Sequence, residues 1–195
     1  MAKEQEIEAK NLLTEKEFSS LVTGFAIHES DFSSQQNTYF DTKSFALRSR
    51  KSALRIRERA GTFTLTLKEP APEGLTEWNQ SVSAQNAREA ISGGTLPAGE
   101  VSERLRSLIG AERVENIGTL TTYRASQPFR TGEIFFDRSH YLGVTDYELE
   151  IEGPSEKDVS SWMNELSEQH HFPLRNTPNK IERLFQRNRE QNEEQ

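Results

Sequence analysis

Acidic and basic side chains alternate with apolar ones in the opening segment Glu6-Ile7-Glu8-Ala9-Lys10. Successive side chains of a β-strand point to opposite faces, so the two acids and the lysine would share one face. Carboxylates at this spacing can converge on a hard divalent cation such as Mg²⁺ or Mn²⁺, which prefers oxygen ligands. The segment therefore predicts a strand with an ionised face that could take part in a metal site.

Further carboxylates follow the same alternation nearer the carboxyl end of the chain. Glu148, Glu150 and Glu152 occupy every second position, and Asp137 lies in the preceding predicted strand. Without a cation such carboxylates repel one another. A single run of this kind is more typical of the solvated face of an antiparallel sheet, but its recurrence in several segments favours a metal centre. The candidate metal ligands are Glu6, Glu8, Asp137, Glu148, Glu150 and Glu152.

Basic residues also recur at alternate positions, in Leu54-Arg55-Ile56-Arg57-Glu58-Arg59. Arginine pairs bidentately with phosphate oxygens and lysine supplies a compact charge, so a mixture of both suits an extended polyphosphate. The alternative is a basic edge strand that resists aggregation. A nucleic-acid interface is disfavoured because no aromatic residues are interleaved with the arginines. The basic candidates are Lys10, Arg55, Arg57, Arg59, Lys68, Arg124 and Lys180.

Amino-acid composition and net charge exclude several classes of function. The 195 residues suit one domain, with residues 1–189 folded and a Gln/Asn/Glu-rich tail at 190–195 expected to fray. The net charge of -7 and the pI near 5.3 disfavour non-specific binding to nucleic acid or to an anionic membrane. The chain has no cysteine and no 18-residue apolar stretch, which predicts a cytoplasmic protein without disulfides.

Hydrophobic periodicity predicts an α+β protein. Eight strands are expected at about 4–11, 36–42, 52–60, 62–69, 75–82, 114–125, 131–138 and 144–152. Because several of them have one apolar and one ionised face, we expect an eight-stranded antiparallel β-barrel whose charged faces point inward and whose apolar faces pack under helices.

Five helices are expected to flank these strands. A capping box at Thr14 and Glu17 opens the first, and the others are predicted at 83–91, 100–109, from 156, and at 180–189. The chain contains no phosphate-binding glycine loop and no cysteine nucleophile, and its four histidines lack metal-ligand spacing. These absences leave the ionised strand faces as the site of any chemistry.

The ordered series of motifs resembles the CYTH domain family, also called the triphosphate tunnel metalloenzymes. The family's E-x-E-x-K element is matched at residues 6–10, its L-R-x-R element at 54–57, its T-x-K strand at 66–68 and its E-x-E strand at 148–150. Arg124 and Asp137 match single basic and acidic strand positions, and the segment 179–183 is similar to the C-terminal S-K-x-x-R element. Similarity is greatest to the short bacterial YjbK-type branch.

The resemblance implies a β-tunnel that binds a triphosphate on a basic side and Mg²⁺ or Mn²⁺ on an acidic side, and hydrolyses it. Its partner would be a small-molecule triphosphate, with neither nucleic acid nor membrane. The implied catalytic residues are Glu6, Glu8 and Lys10, and the implied substrate-binding residues are Arg55, Arg57, Arg59, Lys68, Arg124, Lys180 and Arg183. The alternatives on the same scaffold are a class IV adenylate cyclase, which converts ATP to cyclic AMP and pyrophosphate, and a non-catalytic polyphosphate or nucleotide sensor.

Overall fold

A computed structural model describes the backbone of residues 2–193 and the side chains of residues 3–191. The chain divides into two compact units. The first unit contains the chain up to Gln5 together with Gln35–Leu120, and the second contains Glu6–Ser34 and the chain from Thr121 onward.

The described residues form nine strands: β1 (Ala2–Glu6), β2 (Glu8–Leu13), β3 (Ser33–Thr42), β4 (Ala53–Arg59), β5 (Thr62–Pro70), β6 (Leu75–Val82), β7 (Val114–Phe129), β8 (Gly132–Tyr141) and β9 (Val144–Glu152). Hydrogen bonding orders them β1-β6-β5-β4-β3-β7-β8-β9-β2. The predicted α+β class with an antiparallel sheet is confirmed.

The first predicted strand, at 4–11, is divided in two, which makes the described strands nine rather than eight. β1 pairs with β6, whereas β2 pairs with β9, so the chain changes its partner strand at Ile7. Ile7 is buried, and its carbonyl accepts a hydrogen bond from the amide of Gly153 at 3.0 Å. The alternation of polar and apolar residues in the sequence continues without interruption across Ile7, because side chains before and after it still point to alternate faces. The sequence pattern therefore does not show the break.

Six α-helices accompany the strands in the described part of the chain: α1 (Glu15–Gly24), α2 (Ala46–Ser49), α3 (Ala84–Ile91), α4 (Glu100–Ile109), α5 (Glu156–His170) and α6 (Lys180–Glu193). All five predicted helices are present, and the capping box of Thr14 and Glu17 opens α1. The helix α2 was not predicted. It has four residues and depends on the buried carboxylate of Asp41, which accepts the amides of Leu47 and Arg48 at 2.9 and 3.0 Å.

The core of the first unit lies between helices and the apolar faces of β4 and β5. Leu54 and Ile56 of β4 and Leu65 and Leu67 of β5 are fully buried. They pack with buried side chains of α2, α3 and α4. Because side chains alternate along each strand, the neighbouring arginines, threonines and lysine share the opposite face.

The second unit is organised in the same way. Ile134, Phe136, Leu149 and Ile151 of β8 and β9 are fully buried, and they pack against the apolar sides of α1 and α5. The alternate positions of these strands carry most of the predicted acidic residues. The helix packing therefore fixes the face on which the carboxylates lie.

The last helix, α6, continues past the predicted end at residue 189 to Glu193. Gln191 near its end donates to the carbonyl of Leu142 at 3.1 Å. Residues 194 and 195 of the predicted tail lie outside the described residues. No helix in the described range 2–193 combines the length and the apolar character that a membrane span requires.

Candidate active site

Three carboxylates converge in the second unit. Glu6, Glu8 and Glu152 each offer an oxygen atom, and the three atoms lie within 4.8 Å of one another. Glu8 on β2 and Glu152 on β9 are direct partners in the antiparallel register, which places both side chains on one face. The half-buried group supplies the hard oxygen donors that Mg²⁺ and Mn²⁺ prefer.

The electrostatics of Glu152 fit such an ion. Burial, together with the negative charges of Glu6 and Glu150, raises the pKa of Glu152 to about 7, and the charge of Arg124 only partly opposes this. Burial and the neighbouring negative charges thus make Glu152 costly to ionise. A divalent cation bound among these oxygens would remove that cost.

Asp137 lies in the middle of an ion-pair network and is not part of the triad formed by Glu6, Glu8 and Glu152. Its carboxylate is fully buried and accepts two hydrogen bonds from Arg124, both 2.6 Å long. The Nζ atom of Lys180 lies 2.8 Å from the same carboxylate. The two cations neutralise an acid that would otherwise be buried without a partner.

Glu148 and Glu150 belong to the same network. The Nζ atom of Lys180 lies 2.8 Å from Glu148 and 2.5 Å from Glu150, while Arg124 also contacts Glu150 and Arg183 contacts Glu148. Burial favours the neutral form of both acids and so opposes a low pKa in each. At Glu150 the charges of Lys180 and Arg124 outweigh burial and hold the pKa well below its ordinary value.

At Glu148, burial and the adjacent charge of Glu150 raise the pKa to about 7, although Lys180 and Arg183 oppose the rise. The pair therefore tends to carry its first proton on Glu148. The ionic cluster of the second unit comprises the cations Lys10, Arg124, Lys180 and Arg183 and the acids Glu6, Glu8, Asp137, Asp146, Glu148, Glu150 and Glu152. Acids outnumber cations by three in this cluster, which leaves room for an additional positive charge.

Lys10 connects the triad to the start of α6. Its Nζ atom lies 2.5 Å from Glu8 and 2.5 Å from the side-chain oxygen of Asn179. Burial lowers the pKa of Lys10, but the charges of Glu8 and of other acids in the cluster more than compensate and raise it. Lys10 therefore stays protonated next to the carboxylate that it orients.

Arg183 on α6 is almost fully buried. Besides its contact with Glu148, its Nε atom lies 3.0 Å from a carboxylate oxygen of Asp146. Asp146 in turn accepts a hydrogen bond from the hydroxyl of Tyr141 at 2.5 Å. The arginine is thus held from both sides, which fixes the position of Glu148.

The segment before α6 is anchored to β2 and α1. Arg175 donates to both carboxylate oxygens of Glu17, at 2.8 and 2.9 Å, and to the carbonyl of Leu12 at 2.9 Å. The hydroxyl of Thr177 accepts the amide of Leu12 at 2.9 Å. These contacts determine where α6 starts and hence where Lys180 enters the cluster.

The first unit carries the other predicted basic residues on one polar sheet face. In the register, Arg57 is opposite Thr64, Arg55 is opposite Thr66, and Lys68 of β5 is opposite Glu77 of β6. Direct partners on antiparallel strands share a face. Arg55, Arg57 and Lys68 therefore point to the side of the sheet that is opposite the helices α3 and α4.

Two polar residues that the sequence did not single out support these cations. The Nε atom of Arg57 donates to the buried side chain of Asn37 on β3 at 2.9 Å. Lys68 contacts the carboxylate of Glu77, and Arg55 Nη2 lies 3.6 Å from it. Arg59, at the end of β4, is exposed.

The predicted acids and the cations Lys10, Arg124, Lys180 and Arg183 are thus brought together within the second unit, and Arg55, Arg57 and Lys68 within the first. Sequence reasoning assigned no site role to Asn37, Glu77, Asn79, Asp146 and Asn179, although Asn179 opens the segment that is similar to the C-terminal S-K-x-x-R element. Glu77 and Asn79 could have been found from the predicted hairpin between β5 and β6, because pairing across it places them opposite Lys68 and Thr66. The contact between Asn179 and Lys10 joins distant segments and leaves no local signal.

Comparison with known proteins identifies relatives over almost the whole chain. The family model of the CYTH domain matches residues 4–185. The Bacillus subtilis (strain 168) protein named "Putative triphosphatase YjbK" is 40% identical over 190 residues, which cover 97% of this chain and 98% of that protein.

Solved structures share the fold. A Bacillus halodurans protein described as "a putative adenylate cyclase" superposes with a TM-score of 0.90 at 42% identity, covering 95% of this chain and 100% of that chain. A Hippeastrum protein described as a "putative adenylyl cyclase" with a dominant triphosphatase activity has a TM-score of 0.77 at 22% identity, covering 93% and 95% of the two chains.

Proposed function

Because the chain belongs to the CYTH domain family, we propose that it is an enzyme that hydrolyses a triphosphate with the help of Mg²⁺ or Mn²⁺. The substrate would be inorganic tripolyphosphate or an organic triphosphate. The name of the Bacillus subtilis relative supports triphosphatase activity. The observation that carries the proposal is the convergence of Glu6, Glu8 and Glu152 on a volume that can accept a hard cation.

The carboxylates of Glu6, Glu8 and Glu152 would hold the cation. When bound there, a divalent ion neutralises phosphate oxygens and lowers the pKa of an attacking water molecule. Asp137, Glu148 and Glu150 stay predicted as metal ligands, and their ion pairs support a further role. In that role they orient Lys180 and Arg124.

The basic residues would bind the phosphate chain. Hydrolysis of a phosphoric anhydride depends mainly on positioning and on stabilisation of negative charge, so no side-chain nucleophile is required. The residues proposed to contact phosphate are Lys10, Arg55, Arg57, Arg59, Lys68, Arg124 and Lys180. Arg183 stays predicted as a further phosphate ligand, and its burial between Asp146 and Glu148 supports a positioning role as well.

A class IV adenylate cyclase is the second candidate, and the 42% identical Bacillus halodurans protein, which is described as an adenylate cyclase, supports it. It would use the same charged residues, but the ribose 3′-hydroxyl of ATP would attack the α-phosphate and release pyrophosphate. Orthophosphate and cyclic AMP are therefore the products that distinguish the two activities.

The test is incubation of the purified chain with tripolyphosphate, thiamine triphosphate or ATP, each with and without Mn²⁺. We expect metal-dependent release of orthophosphate and no cyclic AMP. The Glu8→Gln variant keeps the shape of the side chain and removes its charge, so it should fold and lose turnover. Cyclic AMP from ATP would establish the cyclase, and tight binding of all three compounds without turnover would establish a sensor.

A further inference from the structure

The basic polar face of the first unit contains an acid, Glu77, that none of the predicted roles requires. We infer that Glu77 is an internal counter-ion that competes with the phosphate chain for Lys68 and Arg55, and thereby limits how tightly the protein holds polyphosphates. The inference rests on the proposed function, because it treats Lys68 and Arg55 as phosphate ligands.

Geometry places the Glu77 carboxylate against both Lys68 and Arg55, the two cations that are proposed to bind phosphate. Glu77 is the direct partner of Lys68 in the register of β5 and β6. Its Oε1 atom contacts the Lys68 ammonium group and lies 3.6 Å from Nη2 of Arg55. An anion that bridges these two cations must displace this carboxylate or approach it closely.

Neighbouring side chains hold Glu77 in this position. The hydroxyl of Thr66 donates to the side-chain oxygen of Asn79 at 2.7 Å, which orients the amide nitrogen of Asn79 toward Glu77. That nitrogen donates to Oε2 of Glu77 at 3.3 Å. The carboxylate is therefore fixed by polar neighbours on two strands, in addition to its contacts with the cations.

The charge of Glu77 is permanent under physiological conditions. Burial raises its pKa, but the charges of Lys68 and Arg55 outweigh burial and lower the pKa to about 2. The side chains of Glu77, Arg55 and Lys68 are only 12%, 10% and 18% exposed, so solvent screens their interactions weakly. Glu77 thus reduces repulsion between the two cations when no anion is present, and it repels an anion that arrives.

Glu69 provides a matched control on the same hairpin. Like Glu77 it is largely buried and pairs with an arginine, accepting hydrogen bonds of 2.8 and 3.0 Å from Arg104 of α4. Its side chain lies on the helix side of β5, away from the face that carries Lys68. Replacing Glu69 removes a buried carboxylate from an ion pair whose arginine is 46% exposed, without changing the charge of the polar face.

The experiment measures dissociation constants for orthophosphate, pyrophosphate and tripolyphosphate by calorimetry in metal-free buffer, with the intact chain and with the Glu77→Gln and Glu69→Gln variants. Glu77→Gln should bind tripolyphosphate about tenfold more tightly, because a nearby like charge has been removed. The gain should shrink for pyrophosphate and again for orthophosphate, since repulsion scales with the charge of the anion. Glu69→Gln should leave all three constants unchanged.

Thermal unfolding supplies a second measurement. Without an anion, Glu77→Gln should unfold at a lower temperature than the unsubstituted chain, and saturating tripolyphosphate should raise its Tm by more. Equal or weaker binding of tripolyphosphate by Glu77→Gln would overturn the inference, because the carboxylate would then assist the cations. If Glu77→Gln does not fold, the Glu77→Asp variant tests the inference in its place. Its shorter side chain withdraws the carboxylate from both cations, so tighter binding of tripolyphosphate is expected. Unchanged binding of tripolyphosphate would overturn the inference.

Steady-state kinetics with Mn²⁺ separate this inference from the proposed function. Tighter binding of substrate and product should lower KM and kcat together in Glu77→Gln, since product release slows. If the unsubstituted chain hydrolyses no triphosphate, the proposed function fails, while the metal-free dissociation constants still decide the role of Glu77.

Discussion

Glu8 and Glu152 lie directly opposite each other on neighbouring antiparallel strands, and oxygen atoms of their carboxylates approach within 4.8 Å. Like charges at such positions destabilise a sheet. Glu6 adds a third carboxylate to the same volume. The arrangement favours a cation that offsets the repulsion, and it makes Glu152 the first of the three alternating acids of β9 to test as a metal ligand.

The first prediction concerns Glu152. Glu152→Gln should weaken Mn²⁺ binding at least about tenfold, because an amide replaces one of three converging anionic ligands. Titration calorimetry or the electron paramagnetic resonance signal of free Mn²⁺ measures the effect. Glu165→Gln is the control, since Glu165 lies in the same unit and pairs with Arg130 on the helix side.

The opposite result would assign the metal site to other acids of β9. If Glu152→Gln keeps the original Mn²⁺ affinity while Glu148→Gln or Glu150→Gln loses it, the cation binds among Asp137, Glu148 and Glu150. Lys180 and Arg124 would then have to leave those acids when metal binds.

The second prediction concerns Lys180, whose ammonium group lies within 2.8 Å of Asp137, Glu148 and Glu150. Lys180→Met should lower the free energy of unfolding by about 3–5 kcal/mol, because removing one partner of a buried ion pair leaves uncompensated charge. Urea unfolding at neutral pH measures the loss. Lys43→Met is the control and should change stability little, since Lys43 is 82% exposed in its pair with Glu115.

A loss below 1 kcal/mol for Lys180→Met would contradict this account. It would mean that Arg124 and Arg183 neutralise the three acids without help. The same variant tests catalysis separately, because Lys180 is also proposed to contact phosphate.

The third prediction concerns acid stability and the pair of Glu17 and Arg175. The hydrogen bonds from Arg175 lower the pKa of Glu17 to about 2, against the opposing effect of burial. A depressed carboxyl pKa stabilises the fold above its ordinary value near 4.5, and that stabilisation is lost as the pH falls toward 2.

The free energy of unfolding of the unsubstituted chain should therefore fall more steeply between pH 4.5 and 2 than that of Glu17→Gln, and the two curves should converge near pH 2. Urea unfolding at several pH values gives both curves. Glu165→Gln should alter the slope less, because its pair with Arg130 is solvent-exposed. Parallel curves for Glu17→Gln and the unsubstituted chain would show that the Arg175 contact does not shift this carboxyl group.

Alternating patterns predicted most of the fold because strand faces and helix faces are local properties of the sequence. The helix α2 escaped prediction because its amides depend on Asp41, which precedes it by several residues. The break at Ile7 escaped because a strand can change its hydrogen-bonding partner without changing its alternation. Such features depend on which segments become neighbours in the fold, and the sequence of a single strand does not contain this information.

The candidate site was predictable in its residue types but not in its pairings. Glu148, Glu150 and Glu152 all lie on one face of β9, so alternation does not distinguish them, whereas the register with β2 places Glu152 opposite Glu8 and Glu150 opposite Lys10. Glu77 received no role because it belongs to none of the recognised motifs, although pairing across the hairpin of β5 and β6 places it opposite Lys68.

The last prediction tests whether Mn²⁺ binding depends on the backbone position of Glu152. A Cβ atom at Gly132, the first residue of β8, would lie 1.9 Å from the carbonyl oxygen of Glu152, far inside van der Waals contact. Gly132→Ala should therefore displace the backbone at Glu152, lower the Tm and weaken Mn²⁺ binding. Gly24→Ala, in the same unit, is the control: its Cβ would meet only the His170 ring, at 3.4 Å, and should leave Mn²⁺ affinity unchanged. A Gly132→Ala protein that is less stable but binds Mn²⁺ normally would show either that Glu152 does not hold the metal or that its side chain adjusts to the displaced backbone. The double variant Gly132→Ala/Glu152→Gln separates these two outcomes. Its Mn²⁺ affinity should fall below that of Gly132→Ala only if Glu152 is a ligand that adjusts.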